Sequence, residues 1–233
     1  MSDTDSSPVR RNLYGRRGSR LRGNKRTVFD DRRTRYSALS EGGALSLEGE
    51  GPRTGGPIWL EVGFGAGEHL AAQAVANPGV TLIGCEHYID GVSSCLSRLE
   101  AEGVGNARVH HGDARDLMDA VAEGGVARAF LLYPDPWPKA KHHKRRFISD
   151  ENLDSFARVL ADGAHLRVAS DIPEYIDWTR EHVDRHPDFA LVSDTGTAWA
   201  DWPGTRYEAK ALREARVPHY LTYERVARTD GVR

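Results

Sequence analysis

The sequence IWLEVGFGAGEHL, residues 58–70, decides the fold because it joins an apolar run to a glycine-rich turn and a helix start. Ile58–Val62 is apolar and is closed by glycines, which predicts a buried strand. Glu68–Ala76 contains helix-forming residues and is followed by Asn77-Pro78-Gly79, which ends a helix. The stretch therefore predicts a strand, a tight turn and a helix in direct succession.

Outward from this stretch, apolar runs alternate with helical patterns along the rest of the chain. Alternating strands and helices predict parallel pairing with right-handed crossovers, and so an α/β fold. The last two predicted strands lack a clear helix between them, so we expect an antiparallel edge strand. Further strands are predicted at residues 80–85, 107–110, 126–132, 165–169, 189–192 and 220–223, and further helices at 89–99, 114–121, 152–160 and 172–186.

The charge of the chain is unevenly distributed, although its formal net charge is −2. Residues 1–35 hold 11 Lys/Arg and 4 Asp/Glu, and residues 139–146 hold five basic residues and no acidic one. Both clusters predict docking places for an anionic partner. We divide the chain into a basic N-terminal arm and linker, residues 1–56, and a domain of residues 57–233. The arm is either a disordered tail or a segment that becomes ordered on nucleic acid.

Composition excludes several classes of protein. No apolar run in the sequence approaches the roughly 18–20 residues that a membrane helix needs. The Arg-rich N-terminus lacks the apolar stretch of a secretory signal. Two cysteines, Cys85 and Cys95, cannot frame a disulfide scaffold and suit a reducing compartment. We therefore expect a cytoplasmic protein that does not act at a membrane.

The glycine-rich turn carries the first chemical signal. Gly63, Gly65 and Gly67 are spaced G-x-G-x-G, whereas a dinucleotide fingerprint is spaced G-x-G-x-x-G. Glu61, inside the end of the first strand, would repel a pyrophosphate but attract a cationic ligand. The pattern favours S-adenosylmethionine, which carries an ammonium and a sulfonium, over NAD. The alternative is that the glycines serve only a tight turn.

Two more carboxylates follow the next two predicted strands. Glu86 closes the second strand, where a carboxylate accepts hydrogen bonds from both ribose hydroxyls of a nucleotide. Asp113 follows the third strand, where it is placed to reach an adenine amine. Each alone is more often a helix cap or a solvated loop residue. Three acidic residues at the ends of successive strands together predict one cofactor site.

The sequence YPDPWPKAKHHKRR, residues 133–146, follows the fourth predicted strand. Its three prolines stiffen the backbone and hold Asp135 beside Trp137, whose ring either stacks on a nucleobase or packs within the protein. The basic residues that follow suit RNA phosphates. The paired His142 and His143 have no Cys or carboxylate set that would complete a tetrahedral site, so we expect no metal.

On these residues the chain resembles the bacterial tRNA (guanine-N7-)-methyltransferases over most of its length. Residues 134–146 resemble the family's P-D-P-W-x-K-x-x-H-x-K-R-R run, and residues 60–70 resemble its E-[IV]-G-F-G-x-G-x-x-L motif. Residues 84–86 resemble a second motif, although His87-Tyr88 replaces the commoner Val-His. Ser170-Asp171 resembles the family's T-D element, with Ser in place of Thr. Thr205-Arg206-Tyr207-Glu208 resembles its T-[KR]-[FY]-E element.

The resemblance implies a Rossmann-like class I S-adenosylmethionine-dependent methyltransferase fold, with a mostly parallel seven-stranded sheet and an antiparallel edge strand. It implies methylation of N7 of guanosine 46, in the variable loop of tRNA, with S-adenosylmethionine as cofactor. We expect a monomer or homodimer with no obligate protein partner. The expected cofactor-binding residues are Glu61, Gly63, Gly65, Gly67, Glu86, Asp113 and Asp135. The residues expected to contact tRNA are Lys139, Lys141, His142, His143, Lys144, Arg145, Arg146, Asp171, Thr205, Arg206, Tyr207 and Glu208.

The chemistry of guanine N7 assigns the central role to one carboxylate. N7 has a free lone pair, so methyl transfer needs no general base and depends mainly on positioning. We expect Asp135 to be the catalytic residue, accepting hydrogen bonds from guanine N1–H and the amino group, with Asp171 and Glu208 as competitors for that contact. Other classes stay open: a methyltransferase of exocyclic amino groups, a nicotinamide oxidoreductase, which the glycine spacing disfavours, and a non-catalytic RNA-binding protein, which the strand-end carboxylates disfavour.

Overall fold

The computed structural model describes residues 12–15, 20–47 and 55–228. Strands and helices alternate along the described chain, as the hydrophobic pattern predicts. The strands are β1 (Ile58–Val62), β2 (Thr81–Glu86), β3 (Ala107–His111), β4 (Val126–Leu132), β5 (Leu160–Ser170), β6 (Phe189–Thr195) and β7 (His219–Arg225). The helices are α1 (Asn24–Arg32), α2 (Glu68–Ala76), α3 (Ile89–Ala101), α4 (Ala114–Ala120), α5 (Asp150–Val159), α6 (Pro173–Val183) and α7 (Arg206–Arg213), and a short 3₁₀ helix spans Ala140–Arg145.

The seven strands form one sheet in the order β3-β2-β1-β4-β5-β7-β6. Strands β1 to β5 pair in parallel, while β7 runs antiparallel to both β5 and β6. The predicted fold class is therefore confirmed, and the reversed strand lies one position inside the edge. The strand order changes direction between β1 and β4, so loops leaving the two strands diverge there and open a crevice where α/β sheets bind ligands.

Helices cover both faces of the sheet and bury it. Strand β2 is buried along its whole length, as expected for a parallel strand with a helical layer on each side. One layer, α1 to α3, buries residues such as Phe29, Leu70 and Leu96 against the sheet. The other layer, α4 to α6, contributes residues such as Leu117 and Phe156 to the second core cluster. The two layers hold the strand ends in a fixed relation.

The segment before β1 packs more closely than its composition predicts. The Phe29 side chain of α1 is buried, and the Tyr36 hydroxyl donates to the Val104 backbone oxygen at 3.1 Å. Ser37 forms a parallel bridge with Val109, at the free edge of β3. A disordered tail was therefore the wrong interpretation for residues 20–35, where a few apolar side chains bury enough surface to attach the segment. The division at residue 56 stays a prediction, and residues 1–11, 16–19, 48–54 and 229–233 lie outside the description.

Two element predictions are wrong. We expected no clear helix between the last two strands, but α7 lies there, with the Thr205 side chain accepting from the Glu208 N–H at 3.1 Å. This helix is short, four of its eight residues are charged, and it buries only Ala211 within its span, so no apolar run marks it in the sequence. We also expected a helix to residue 160 and a strand from 165, whereas β5 begins at Leu160 and runs through Gly163. Among the described residues, no helix is long and apolar enough to cross a membrane.

Candidate active site

A pocket opens at the carboxyl ends of β1, β2 and β4, at the point where the strand order reverses. Gly63 lines it after β1, Glu86 lines it at the end of β2, and Asp135 lines it after β4. Tyr207 of α7 and Tyr14 of the N-terminal segment complete the wall. The topology thus brings together three of the predicted cofactor-binding residues from separate strands.

The glycine-rich turn is fixed by its backbone and by close packing. Gly63, Gly65 and Gly67 have φ angles of 74°, 59° and 77°, which side chains rarely adopt. A Cβ on Gly67 would overlap the Cys95 side chain, so the turn lies directly against α3. The space beside Gly63 is open instead, because an added Cβ there would meet nothing within 4 Å. The backbone of this turn can therefore be approached closely by a ligand.

Glu86 is oriented by two backbone amides. The Gly65 N–H donates to Glu86 Oε2 at 2.9 Å, and the Tyr88 N–H donates to Oε1 at 2.8 Å. The side chain lies at 8% exposure, and burial raises the pKa of its carboxyl. Each carboxylate oxygen keeps acceptor capacity after these bonds. Glu86 is thus a preorganised acceptor, as a site for ribose hydroxyls requires.

Asp135 stands at the mouth of the pocket on a constrained turn. Its neighbours Tyr133 and Trp137 have positive φ angles of 49° and 41°, which are uncommon for residues with a side chain. Asp135 itself is exposed, but desolvation by the surrounding turn raises the pKa of its carboxyl. The carboxylate has no hydrogen-bond or ion-pair partner among the residues that the structure describes, so its acceptor capacity is unused. Trp137 lines the pocket and packs against Arg145, whose guanidinium carbon lies 4.9 Å from the ring centroid.

Glu61 is not brought into the pocket. It is 2% exposed and accepts a hydrogen bond from His69 Nδ1 at 2.8 Å, on the face of β1 that α2 covers. The predicted cofactor contact of Glu61 is therefore not a direct one in this geometry. The sequence signal that we missed is His69 itself. It follows Glu61 by eight positions and lies in the first turn of α2, which places its ring nitrogen over β1.

Asp113 acts first as a helix cap. Its carboxylate accepts from the Arg115 N–H at 2.9 Å and pairs with the Arg115 guanidinium. Although burial opposes it, hydrogen bonds from Arg115 hold the pKa of this carboxyl below its usual range. Ala114, the next residue, lines the pocket, and its N–H donates to the Tyr14 hydroxyl at 3.1 Å.

The basic run divides into exposed and buried cations. Lys139, Lys141 and Lys144 are exposed, and His142, His143 and Arg145 are half-buried. Arg146 is 1% exposed: its Nε donates to the Pro136 carbonyl at 2.9 Å and its Nη2 to Glu174 at 2.7 Å. Its guanidinium carbon also lies 4.8 Å from the Trp178 ring centroid. Arg146 therefore fastens the turn that carries Asp135 and presents no free charge to an RNA.

The second predicted tRNA-binding group is mostly engaged within the protein. Asp171 pairs with Arg216, and Arg206 pairs with Glu68 at 3.0 Å. Glu208 accepts hydrogen bonds from Trp202 Nε1, at 2.8 Å, and from the Tyr220 hydroxyl. Thr205 caps α7. Tyr207 differs from these residues because its ring is half-exposed over Gly65 and lines the pocket.

Comparisons with known proteins agree on the class of protein. A family described as "Putative methyltransferase" matches residues 55–220. The chain is 47% identical over 232 residues to a tRNA (guanine-N(7)-)-methyltransferase of Paracoccus denitrificans, covering 97% of this chain and 99% of that protein. The corresponding protein of Rhodospirillum rubrum is 46% identical over 222 residues, covering 91% of this chain and 87% of that one.

Solved structures share the fold at low sequence identity. The 16S rRNA methyltransferase KamB superposes with a TM-score of 0.55 and 17% identity, covering 91% of this chain and 98% of that one. TrmN from Thermus thermophilus gives a TM-score of 0.53 and 16% identity, covering 73% of this chain and 44% of that one. These likenesses support the Rossmann-like methyltransferase fold.

The buried and exposed members of the basic run have different effects on stability. Arg146→Ala removes two hydrogen bonds and the packing on Trp178, so we expect the free energy of unfolding to fall by about 2–3 kcal/mol. Lys141→Ala, the matched control on the exposed part of the run, should change it by less than about 0.5 kcal/mol. Urea unfolding followed by circular dichroism measures both values. Equal effects of the two substitutions would contradict the distinction between a buried, structural Arg146 and an exposed Lys141.

Proposed function

Because the chain belongs to the tRNA (guanine-N(7)-)-methyltransferase family, we propose that it transfers a methyl group from S-adenosylmethionine to N7 of a guanosine in tRNA. The observation that carries the proposal is the meeting of Glu86 and Asp135 in one pocket at the strand-order reversal. The exposed lysines of the basic run begin at Lys139, four residues after Asp135. The pocket thus combines acceptors for a cationic cofactor with cations for an RNA.

The residues present fit this cofactor. Glu86, held by two amides, would accept the ribose hydroxyls, and the open backbone at Gly63 would lie against the methionine part. The Asp113 carboxylate and the Ala114 N–H would meet the adenine edge. When bound, S-adenosylmethionine supplies a methyl group on a positively charged sulfur. Two carboxylates with raised pKa values in one pocket favour such a positive ligand, since it relieves the cost of their charges.

Asp135 holds the guanine. Its free carboxylate would accept from N1–H and from the exocyclic amino group, and it opposes the positive charge that the base gains on N7. N7 carries a lone pair and no proton, so no residue has to act as a general base. Asp171 and Glu208 already bond to Arg216, Trp202 and Tyr220, which favours Asp135 over both for the edge contact. We assign Glu208 a positioning role behind the pocket.

The exposed lysines would contact the tRNA backbone. Lys139 ends the turn that carries Asp135, and Lys141 and Lys144 lie in the 3₁₀ helix that follows it, so phosphates bound there would bring a nearby base to the pocket. Tyr207, half-exposed over the glycine turn, offers a ring on which that base can stack. We place the methylated guanosine at position 46, in the variable loop, and the enzyme in the cytoplasm, acting as a monomer or homodimer.

The methylated product tests the proposed function. Unmodified tRNA incubated with methyl-labelled S-adenosylmethionine should yield 7-methylguanosine after nuclease digestion and chromatography. A transcript in which adenosine replaces guanosine 46 is the control and should accept no label. Label on an exocyclic amino group would establish the alternative methyltransferase class, and the absence of any label with intact cofactor binding would contradict catalysis. Label that persists in the control transcript would contradict the position.

Loss of the Asp135 carboxylate separates catalysis from cofactor binding. Asp135→Ala should lower kcat/KM for methyl transfer by at least about 100-fold, since the lost hydrogen bonds act on the reacting base. Binding of S-adenosylmethionine, measured by calorimetry, should weaken by no more than about tenfold, because Glu86 and the glycine turn remain. Glu102→Ala, an exposed carboxylate at the end of α3, is the matched control. Near-normal turnover of Asp135→Ala would remove Asp135 from the mechanism.

A further inference from the structure

An aromatic side chain of the N-terminal segment lies inside the cofactor pocket. The Tyr14 ring stacks on His87 with the centroids 3.9 Å apart and an angle of 4° between the planes. The Tyr14 hydroxyl accepts a hydrogen bond from the Ala114 N–H at 3.1 Å. His87 lies in the loop that follows β2, and Ala114 begins α4 after β3, so both neighbours follow the strands that the sequence assigns to ribose and adenine.

The same side chain lies beside the Asp113 carboxyl. Burial raises the pKa of Tyr14, and the negative charge of Asp113 raises it further. Tyr14 therefore stays protonated at neutral pH, and its oxygen accepts from the Ala114 N–H.

This contact pattern matches one edge of adenine. Adenine presents an amino donor beside the acceptor N1, so a carboxylate followed by a backbone N–H is complementary to it. A flat ring over His87 would complete adenine binding by stacking. Tyr14 reproduces two of these interactions with one side chain, the stack on His87 and the acceptor for the Ala114 N–H, and it does so beside the Asp113 carboxyl.

We propose that Tyr14 is an internal occupant of the adenine subsite, which competes with the adenine of S-adenosylmethionine. The inference rests on the proposed function, because it takes the cofactor's base to bind at Asp113 and Ala114. The Ala114 N–H is a single donor, so the hydroxyl and an adenine nitrogen exclude each other there. Binding of the cofactor requires Tyr14 to leave.

The residues beside Tyr14 keep it in place. Leu13 is 7% exposed and belongs to the core cluster that includes Leu117 and Phe147. Gly15 lies against Tyr88 and Trp137, since an added Cβ would stand 3.1 Å from the Tyr88 hydroxyl and 3.7 Å from the Trp137 ring. The segment is therefore seated across the pocket at three successive residues. Displacing Tyr14 therefore also disturbs the contacts of Leu13 and Gly15.

An internal occupant reduces the apparent affinity for the cofactor by the fraction of molecules whose subsite is free. If the adenine subsite is free of Tyr14 in about one molecule in ten, removing the Tyr14 side chain raises the affinity for the cofactor by about tenfold. A side chain that instead stacked on bound adenine would have the opposite effect, because its loss would weaken binding.

Calorimetric titration of the full chain with S-adenosylmethionine and with adenosine distinguishes these cases. Tyr14→Ala should lower the dissociation constants of both ligands by about 5–10-fold. Tyr14→Phe, which keeps the stack but loses the hydroxyl that accepts from the Ala114 N–H, should give a smaller decrease. Tyr36→Phe is the matched control: its hydroxyl bonds to Val104 outside the pocket, so affinity should not change. Thermal unfolding of each variant checks that it folds.

The outcomes separate this inference from the function on which it rests. Unchanged or weaker binding by Tyr14→Ala, with normal binding by the wild type, would overturn the competition and leave the proposed function standing. If neither the wild type nor any variant bound S-adenosylmethionine, both the Tyr14 inference and the proposed function would be overturned. Tighter binding of S-adenosylmethionine without tighter binding of adenosine would contradict the placement of Tyr14 at the adenine subsite.

Discussion

The hydrogen bond from the Gly65 N–H to the Glu86 carboxylate is the constraint on which the site depends. It ties the turn after β1 to the end of β2, so the backbone that lines the pocket and its most buried acceptor are positioned together. The bond requires a left-handed backbone at the glycines and close contact with α3, where a Cβ on Gly91 would overlap the Gly65 carbonyl oxygen. Parallel pairing of β1 with β2 sets the register that makes the bond possible.

A second turn, after β4, supplies the carboxylate of Asp135, which we propose contacts the base. Positive φ angles at Tyr133 and Trp137 hold Asp135 at the pocket mouth, and the buried Arg146 stabilises that conformation through the Pro136 carbonyl. The cost of the unusual backbone is thus offset by packing and charged hydrogen bonds behind the site. Exposed lysines follow this turn directly, and we propose that the segment serves both base recognition and RNA binding.

Local pattern in the sequence predicted the sheet and its ligand edge, since strand and helix periods and the glycine turn are local properties. The positions of Glu86 and Asp135 followed, because parallel strands bring their carboxyl ends together. The contacts that local pattern did not reveal join partners distant in sequence. Glu61 is engaged by His69 of α2, Arg146 by Glu174, and Tyr14 by Ala114, 100 residues away. Helix α7 is amphipathic but short, and four of its eight residues are charged, so no apolar run marks it.

The most direct test of the account is the affinity of the Glu86→Gln variant for S-adenosylmethionine, measured by calorimetry beside its thermal unfolding. Glutamine keeps the size of the side chain but replaces one acceptor oxygen by an amide donor and removes the charge. We predict a dissociation constant raised by about 10–100-fold with an intact fold, because charge-assisted bonds to the ribose are lost. An unchanged dissociation constant would contradict the assignment of this carboxylate, and with it the assignment of the pocket to the cofactor.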